Sequence, residues 1–476
     1  MSRQGVANGT MSRRKVGFLD SDVPNPLPAL IGMTPYSMPI GSGESATAND
    51  GDLNLSIVVP AKEEAENLPA LMGELSRVVA DLSIRSEVII VTDAWDAATT
   101  NAAQESGATV LVQAEPGYGR ALRAAFAEAR GRHIITMDAD LAHSPELIRT
   151  LWKHRDEVDV LIASRYAPGG TAKMPRVRLQ LSRLLNKVFS RGLSLHVSDM
   201  SSGYRLYRKV VLTGMRYEAV DFDILQEILV RAYSEGWRVA EMPFRYVPAR
   251  LGSWQARVLR FGLAYVRRFW VLWKLRNSIL CADYDARAYD SPIPLQRYWQ
   301  RARHRHVMQL VADQGRVLDV GCGSSRIIEA LPRGSVAVDI LLRKLRFAKR
   351  FNRPLVCASA FALPFPDRSF PCVLCSQVIE HVPKESTILD ELCRVLQPGG
   401  CLVIGTPDYA NWEWVVTEKL YGIFAPGAYA DEHIAHYTRL ELVDHFVSRG
   451  FTHEATRYIL RGELILAFRA PGGQLH

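Results

Sequence analysis

From Leu53 onward, short apolar runs alternate with longer stretches whose apolar positions recur three and four residues apart, the spacing of one face of a helix. LSIVVPA (55–61), EVIIVTD (87–93), TVLVQA (109–114), HIITMD (133–138) and VDVLIASR (158–165) read as strands. ENLPALMGELSRVVADL (66–82) and the glycine-started GYGRALRAAFAEARG (117–131) read as helices. Such alternation predicts a mostly parallel sheet with helices on both faces. A second alternation begins near Arg316, through RVLDVGCGSS (316–325), SVAVDI (335–340), PLVCASA (354–360), FPCVLCSQV (370–378) and GCLVIGTP (400–407). The expected fold class is therefore α/β, with two units in series over 53–250 and 301–472. A basic, aromatic, helical connector (251–300) joins them. Residues 1–52, rich in Ser, Gly, Pro and Asn without periodicity, are expected to be a disordered tail.

Ligands of open α/β sheets gather at the carboxyl ends of the strands. There the first unit carries Glu63 and Glu64, Asp93, and Asp138 with Asp140. One Asp-x-Asp could be an ordinary polar strand end. Acids converging from three strands point to a bound cation, or to a base and ribose.

Charge narrows the partners. The net charge is +8, and Val160 to Ser198 and Met242 to Ala282 contain no acid but many arginines. One-sided stretches favour phosphate-bearing partners, meaning nucleotides, nucleic acid or an anionic membrane surface, although many charge runs are solvated helix faces. No nucleic-acid reader motif accompanies them, so nucleic acid is not expected. RVRLQLSRLLNKVFSRGL (176–193) places Val177, Leu181, Leu184, Leu185 and Val188 on one helical face, which periodicity alone assigns equally to a core or a membrane surface. RVLRFGLAYVRRFWVLWKLRNSIL (257–280) is apolar but broken by arginines, which suits a helix in the headgroup plane or one packed on protein. No uninterrupted apolar run of spanning length occurs, and no signal peptide is apparent. The seven cysteines all fall at or after Cys281; they read as reduced thiols, Cys372-x-x-Cys375 having no second pair to complete a zinc site. The expected location is cytoplasmic, peripheral on the inner face of the membrane.

VVPAKEEAENL (58–68), the strand-end Asp93, PGYGRAL (116–122), MDADLAHSPELI (137–148), ASRYAPGG (163–170) and SDMSSGYRLYRK (198–209) together resemble family 2 glycosyltransferases of GT-A fold, in particular the dolichyl- or polyprenyl-phosphate sugar synthases. The resemblance implies metal-dependent, inverting transfer from a nucleotide-diphosphate sugar to a polyprenyl phosphate. It implies that Asp138 and Asp140 hold Mg2+ or Mn2+, hard ions that take carboxylate and phosphate oxygens. Pro60, Glu64 and Asp93 would hold base and ribose, and Gly117 and Gly119 would let the backbone approach the nucleotide. Arg165, Arg183 and Arg205 would grip donor or acceptor phosphate, a task suited to fork-shaped guanidinium. A phosphate acceptor is already anionic near neutral pH; a hydroxyl acceptor on a glycan or lipid needs a base, for which Asp199 is the candidate. His143 reads as backing the metal or as a loop histidine satisfied by backbone.

The chain departs from the pattern at Thr92-Asp93-Ala94-Trp95, at Ala142, and at Trp254 of GSW (252–254). The altered loop leaves open a non-catalytic nucleotide- or membrane-binding module.

LDVGCGSS (318–325), Asp339 ending the next strand, ALPFPDRSF (362–370), SQVIEHVP (376–383) and LQPGGCLVIGTP (396–407) resemble class I S-adenosylmethionine-dependent methyltransferases, in the small-molecule branch related to quinone methyltransferases. By that resemblance Gly321 and Gly323 approach the methionyl part of S-adenosyl-L-methionine, Asp319 orients its ammonium, Asp339 accepts the ribose hydroxyls, Ser359 and Ala360 meet adenine, and Gln377 lines the cofactor site. The methyl acceptor would be a small molecule or lipid-linked. His381, His433 and His436 are candidates on its side, as a base, a His-x-x-His metal pair in DEHIAHY (431–437), or loop caps; with no further ligand cluster in view, capping is favoured. The segment 282–306 is expected to cover the cofactor pocket.

Overall fold

The computed structural model describes residues 38–39, 53–247, 268–424 and 433–472. The first sheet has seven strands, β1 (Leu55–Pro60), β2 (Ser86–Asp93), β3 (Thr109–Gln113), β4 (His133–Thr136), β5 (Val160–Ser164), β6 (Arg205–Arg208) and β7 (Val239–Pro243). Their order is β3-β2-β1-β4-β6-β5-β7, and only β6 runs antiparallel to its neighbours. Val58, Ile134 and Ile162 enter one core and Ile57, Val59 and Ile135 another. Burial on both faces is why these strands read as continuous apolar runs rather than alternating ones.

The second sheet holds β8 (Val317–Val320), β9 (Val336–Asp339), β10 (Leu355–Cys357), β11 (Phe370–Ser376), β12 (Leu396–Pro407), β13 (Thr452–Ile459) and β14 (Glu463–Arg469), ordered β10-β9-β8-β11-β12-β14-β13. The β13–β14 hairpin lies beyond the last strand read from the sequence. Met38 and Pro39 pair antiparallel with Cys357 and Val356 at the outer edge of β10, so the segment expected to be a structureless tail contributes a two-residue strand. An open edge with unpaired amides and carbonyls is a template for that pairing. The rest of 1–52 lies outside the described residues. All seven cysteines are free; Cys372 and Cys375 are buried in separate cores, because a three-residue step along a strand reverses the face.

The described part of the connector, from residue 268, contacts both units. Residues 268–277 are helical and send Leu272 into the first core, with Phe269, Trp273 and Leu275 packed against it. Arg276, fully buried, pairs with Asp283 at 2.6 Å and donates to the carbonyls of Leu193 and Ser194 at 3.1 Å. A short helix, Tyr284–Tyr289, then lies against the second unit. The units also meet at Gly236 (φ 79°), where an added Cβ would fall 2.5 Å from the Arg343 carbonyl oxygen, while the Arg346 guanidinium sits 3.7 Å from the Trp237 ring centroid. Residues 248–267, including Trp254, lie outside the described set. Among the described residues no helix is long and apolar enough to cross a membrane.

Candidate functional site

Asp138 follows β4, whose last residue is fixed by a 2.6 Å hydrogen bond from the Thr136 hydroxyl to the Gly203 carbonyl. Packing around the half-buried Asp138 pushes its carboxyl up to about 6, against the lowering pull of Arg165 and Tyr118. Asp140 is raised too, by burial first and Asp138 second. Asp138 and Asp140, the second raised by the first, form an oxygen donor set short of positive charge, which fits a hard divalent cation. Asp138's backbone amide donates to His143 Nδ1 at 3.0 Å, and burial lowers His143 to about 4. His143 is thus a neutral loop histidine bonded to backbone, the plainer of its two expected roles.

Arg165 faces these acids. Its Nε and Nη2 each lie 2.7 Å from an Asp199 oxygen, and its backbone amide donates to the same carboxylate at 3.0 Å. Glu241 in turn accepts from the amides of Ser198 and Asp199 at 2.8 Å. Burial raises the fully buried Asp199 carboxyl, but Arg165 and Ser201 more than offset it and hold it low. A carboxylate so held is a poor base; the geometry makes Asp199 the orienter of Arg165 rather than a proton acceptor.

Arg205, expected to be catalytic, is fully buried, and donates at 2.7 Å to the carbonyls of Ser202, Leu225 and Met200. Its guanidinium ties the loop that holds Met200 and Ser202 to the first turn of the helix Ile224–Ser234, which corrects the phosphate-gripping role. Gly117 and Gly119 are also explained differently than expected. A Cβ on either would strike the Val220 backbone, at 2.5 Å from its oxygen and 2.8 Å from its carbon respectively, so protein rather than nucleotide makes the close approach. Arg183 is exposed, with its guanidinium 5.6 Å from the Tyr166 ring centroid.

At the end of β1 and β2, Pro60 precedes the 61–67 loop and Asp93 accepts from Gln113 Nε2 at 2.7 Å. The loop is tied to the helix Ala97–Glu105 that follows β2: Glu63's amide donates to Asp96 at 2.6 Å and Glu64's to the Thr99 hydroxyl at 3.0 Å. Trp95, in the altered loop, is 54% exposed with Lys62 Nζ 5.1 Å from its ring centroid.

In the second unit β8 carries Asp319, buried and pushed up to about 7 by burial and then by Asp339. Its neighbour Gly321 (φ 73°) could bear no side chain, a Cβ there falling 2.2 Å from Val378 Cγ2. Asp339 accepts the amides of Gly323 at 2.8 Å and Leu341 at 2.7 Å. Gln377 adopts φ 61°, and its Nε2 is buried without a partner among the described residues. Ser359 and Ala360 follow β10, both half-buried. An uncompensated buried acid and an unpartnered amide beside a glycine turn fit a cationic, polar cofactor such as S-adenosyl-L-methionine. The 282–306 segment reaches this loop: Asp285 accepts from the Ser324 amide and hydroxyl at 3.0 Å and from Lys344 Nζ at 2.9 Å.

The model of the family described as glycosyl transferase family 2 matches residues 56–214, and that of a methyltransferase domain matches 318–404. The chain is 31% identical to a polyprenol monophosphomannose synthase of Mycolicibacterium smegmatis over 44% of its own length and 84% of the relative's. It is 30% identical to an undecaprenyl-phosphate mannosyltransferase of Micrococcus luteus, over 41% of this chain and 84% of that one. A dolichol-phosphate mannosyltransferase of Pyrococcus furiosus is 31% identical over 41% of this chain and 56% of its own.

The chain belongs to glycosyltransferase family 2. Its GT-A domain is followed by a Rossmann-like methyltransferase domain, so the enzyme is both a glycosyltransferase and a methyltransferase. In the glycosyltransferase cleft the structure brings together Asp138, Asp140, Arg165 and Asp199, and removes Arg205 to the interior. It adds Tyr118, whose ring stacks on Phe222 at 4.4 Å and whose hydroxyl lies beside Asp138. An added Cβ on Gly203 would fall 2.6 Å from that hydroxyl and 3.3 Å from Asp138 Oδ1. The signal for Tyr118 stood between two glycines that drew the attention in PGYGRAL. Lys344 lies in no motif, and Asp285 was signalled only through its segment, 282–306.

Proposed function

We propose that the glycosyltransferase domain moves a sugar, mannose by the names of its relatives, from a nucleoside-diphosphate donor to a polyprenyl phosphate, inverting the anomeric centre. The observation that carries this reading is the Asp138–Asp140 pair opposed by an Arg165 that Asp199 locks in place. Asp138 and Asp140 are the residues that would hold Mg2+ or Mn2+, which supplies charge for the leaving diphosphate. Arg165 faces the same cleft and offsets the mutual repulsion of two polyanions. A phosphate oxygen needs no base to attack, which agrees with an Asp199 committed to an ion pair and disfavours a hydroxyl acceptor. Tyr118, kept neutral by burial and Asp138, limits water beside Asp138.

The helix α1 (Arg176–Gly192) supports a lipid-borne acceptor. Its inward residues are Asn186, Phe189 and Ser190, whereas Val177, Leu184, Leu185 and Val188 are exposed, Val177 by 73%. Trp270 and Val271 are exposed apolar residues as well, and Arg178, Arg183 and Lys187 alternate with the stripe along the helix. An outward apolar stripe with interspersed basic residues suits a helix lying on an anionic membrane surface. The methyltransferase domain transfers a methyl group from S-adenosyl-L-methionine, held by Asp319, Asp339, Gln377 and the Gly321–Gly323 turn. That sulfonium supplies the methyl; the domain's residues supply alignment.

The test is incubation of the full chain with radiolabelled GDP-mannose or UDP-glucose, polyprenyl phosphate and Mn2+. Label should enter the lipid extract, and Asp138→Asn should abolish it. Transfer to a glycan or lipid hydroxyl but none to polyprenyl phosphate would overturn the acceptor assignment.

A further inference from the structure

A second cluster of ligating side chains stands apart from the Asp138–Asp140 pair. β11 ends at Ser376, and the chain turns so that Val378 packs over Gly321 of the methyl-donor loop. Two residues on, Glu380 is fully buried; its Oε2 accepts from the Thr406 hydroxyl at 3.3 Å, and its Oε1 has no partner among the described residues. His381 follows it directly. His433 arrives from a distant part of the chain with a side chain only 3% exposed, its ring centroid 5.1 Å from that of His381. One ligand atom from each of Glu380, His381 and His433 lies within 4.8 Å of the others. Three ligands bonded at about 2.1 Å around a tetrahedral ion stand about 3.4 Å apart, so side-chain rotations that move each ligand atom by about an ångström close the set.

His433 is also prepared as a ligand. Its Nδ1–H donates to Glu418 Oε1 at 2.7 Å, and the Tyr409 hydroxyl donates to the same oxygen at 2.9 Å. A carboxylate on one ring nitrogen leaves the lone pair on the other and fixes its direction, the usual arrangement behind a metal-bound imidazole. A buried carboxylate oxygen without a donor is otherwise a net cost to the fold.

We propose that Glu380, His381 and His433 hold a first-row divalent transition-metal ion in the methyltransferase domain. Two imidazoles and one carboxylate select such ions over Mg2+ or Ca2+. Three protein ligands leave a coordination position open, and Val378 over Gly321 places it near the methyl-donor loop. The ligand chemistry that fits is an oxygen of the methyl acceptor, a hydroxyl whose proton the ion makes easier to lose. The assignment does not depend on which sugar or lipid the first domain uses.

The experiment loads the full chain, carrying Asp138→Asn to remove the first domain's cation site, with Zn2+ or Co2+, desalts it and counts bound metal. Expected is about one ion per chain, with Co2+ giving visible absorption bands from nitrogen ligation. His433→Ala and His381→Ala should each lose the ion and the bands, while binding of S-adenosylhomocysteine reports that the domain remains folded. Glu418→Gln should retain the ion more weakly. Failure of the Asp138→Asn chain to retain either metal overturns the proposal whatever the variants do, as does equal retention by a folded His433→Ala.

Discussion

Asp199→Asn separates two roles that one carboxylate could have. As the buried partner of Arg165, its loss leaves a guanidinium without its counter-charge, at a cost of about 3–5 kcal/mol. The expected result is a lower urea midpoint together with loss of transfer. A general base would instead lose turnover at unchanged stability, and denaturation beside single-turnover kinetics distinguishes them. Because the carboxyl is held low in the fold, the pair's contribution is intact above the unfolded carboxylate pKa and fades only as pH falls below it. His143 behaves oppositely to a salt-bridged histidine. It takes a proton near 6.5 when unfolded and near 4 when folded, so stability declines as pH drops through that window. His143→Asn, which keeps an acceptor for Asp138's amide, should flatten the decline in urea midpoint between pH 6.5 and 4. At this scale the sequence exposed the acids well and the arginines poorly. Asp138, Asp140 and Asp93 stand at strand ends, whereas Arg165 and Arg205 occupy similar basic motifs and differ only in whether carboxylate or carbonyls surround them.

The helix α1 shows what periodicity omits. Spacing puts Val177, Leu184, Leu185 and Val188 on one face but says nothing about what that face meets. The fold buries the opposite side, including Asn186, whose side-chain oxygen accepts from the Met200 amide at 2.7 Å. Leu184→Ser with Val188→Ser should therefore leave the thermal midpoint nearly unchanged, within about 0.5 kcal/mol per site, while reducing sedimentation with anionic vesicles. A large loss of stability would return the face to the protein core. The strands β1, β2, β4, β5, β8, β9, β11 and β12 were legible because they are apolar runs largely buried in the sheets. Four others were not read: β6 and β7 are short and carry charged residues, exposed residues interrupt the apolar run in β13, and β14 was missed although it is buried.

The two domains share a seam that neither family pattern contains. Gly236 needs its positive φ, and its missing side chain leaves room for the Arg343 carbonyl. Gly236→Ala should cost about 1–3 kcal/mol from backbone strain, and calorimetry should show the domains unfolding in more separated steps. An unchanged thermogram would make the seam incidental. Domain order and chemistry were visible in the sequence as two runs of motifs, but the seam depends on Glu235, Trp237, Arg343 and Arg346, residues with no signature of their own.

Arg276 fastens the carbonyls closing α1 to Asp283, two residues before the acid that meets the methyl-donor loop. The protein thereby carries a strut from its apolar outer helix to its second catalytic domain. If that helix rests on a bilayer, the strut sets the height of the methyl-transfer site above the lipid. Acceptors would then be sorted by how far their reactive group stands from the membrane, a filter of length operating beside any filter of shape.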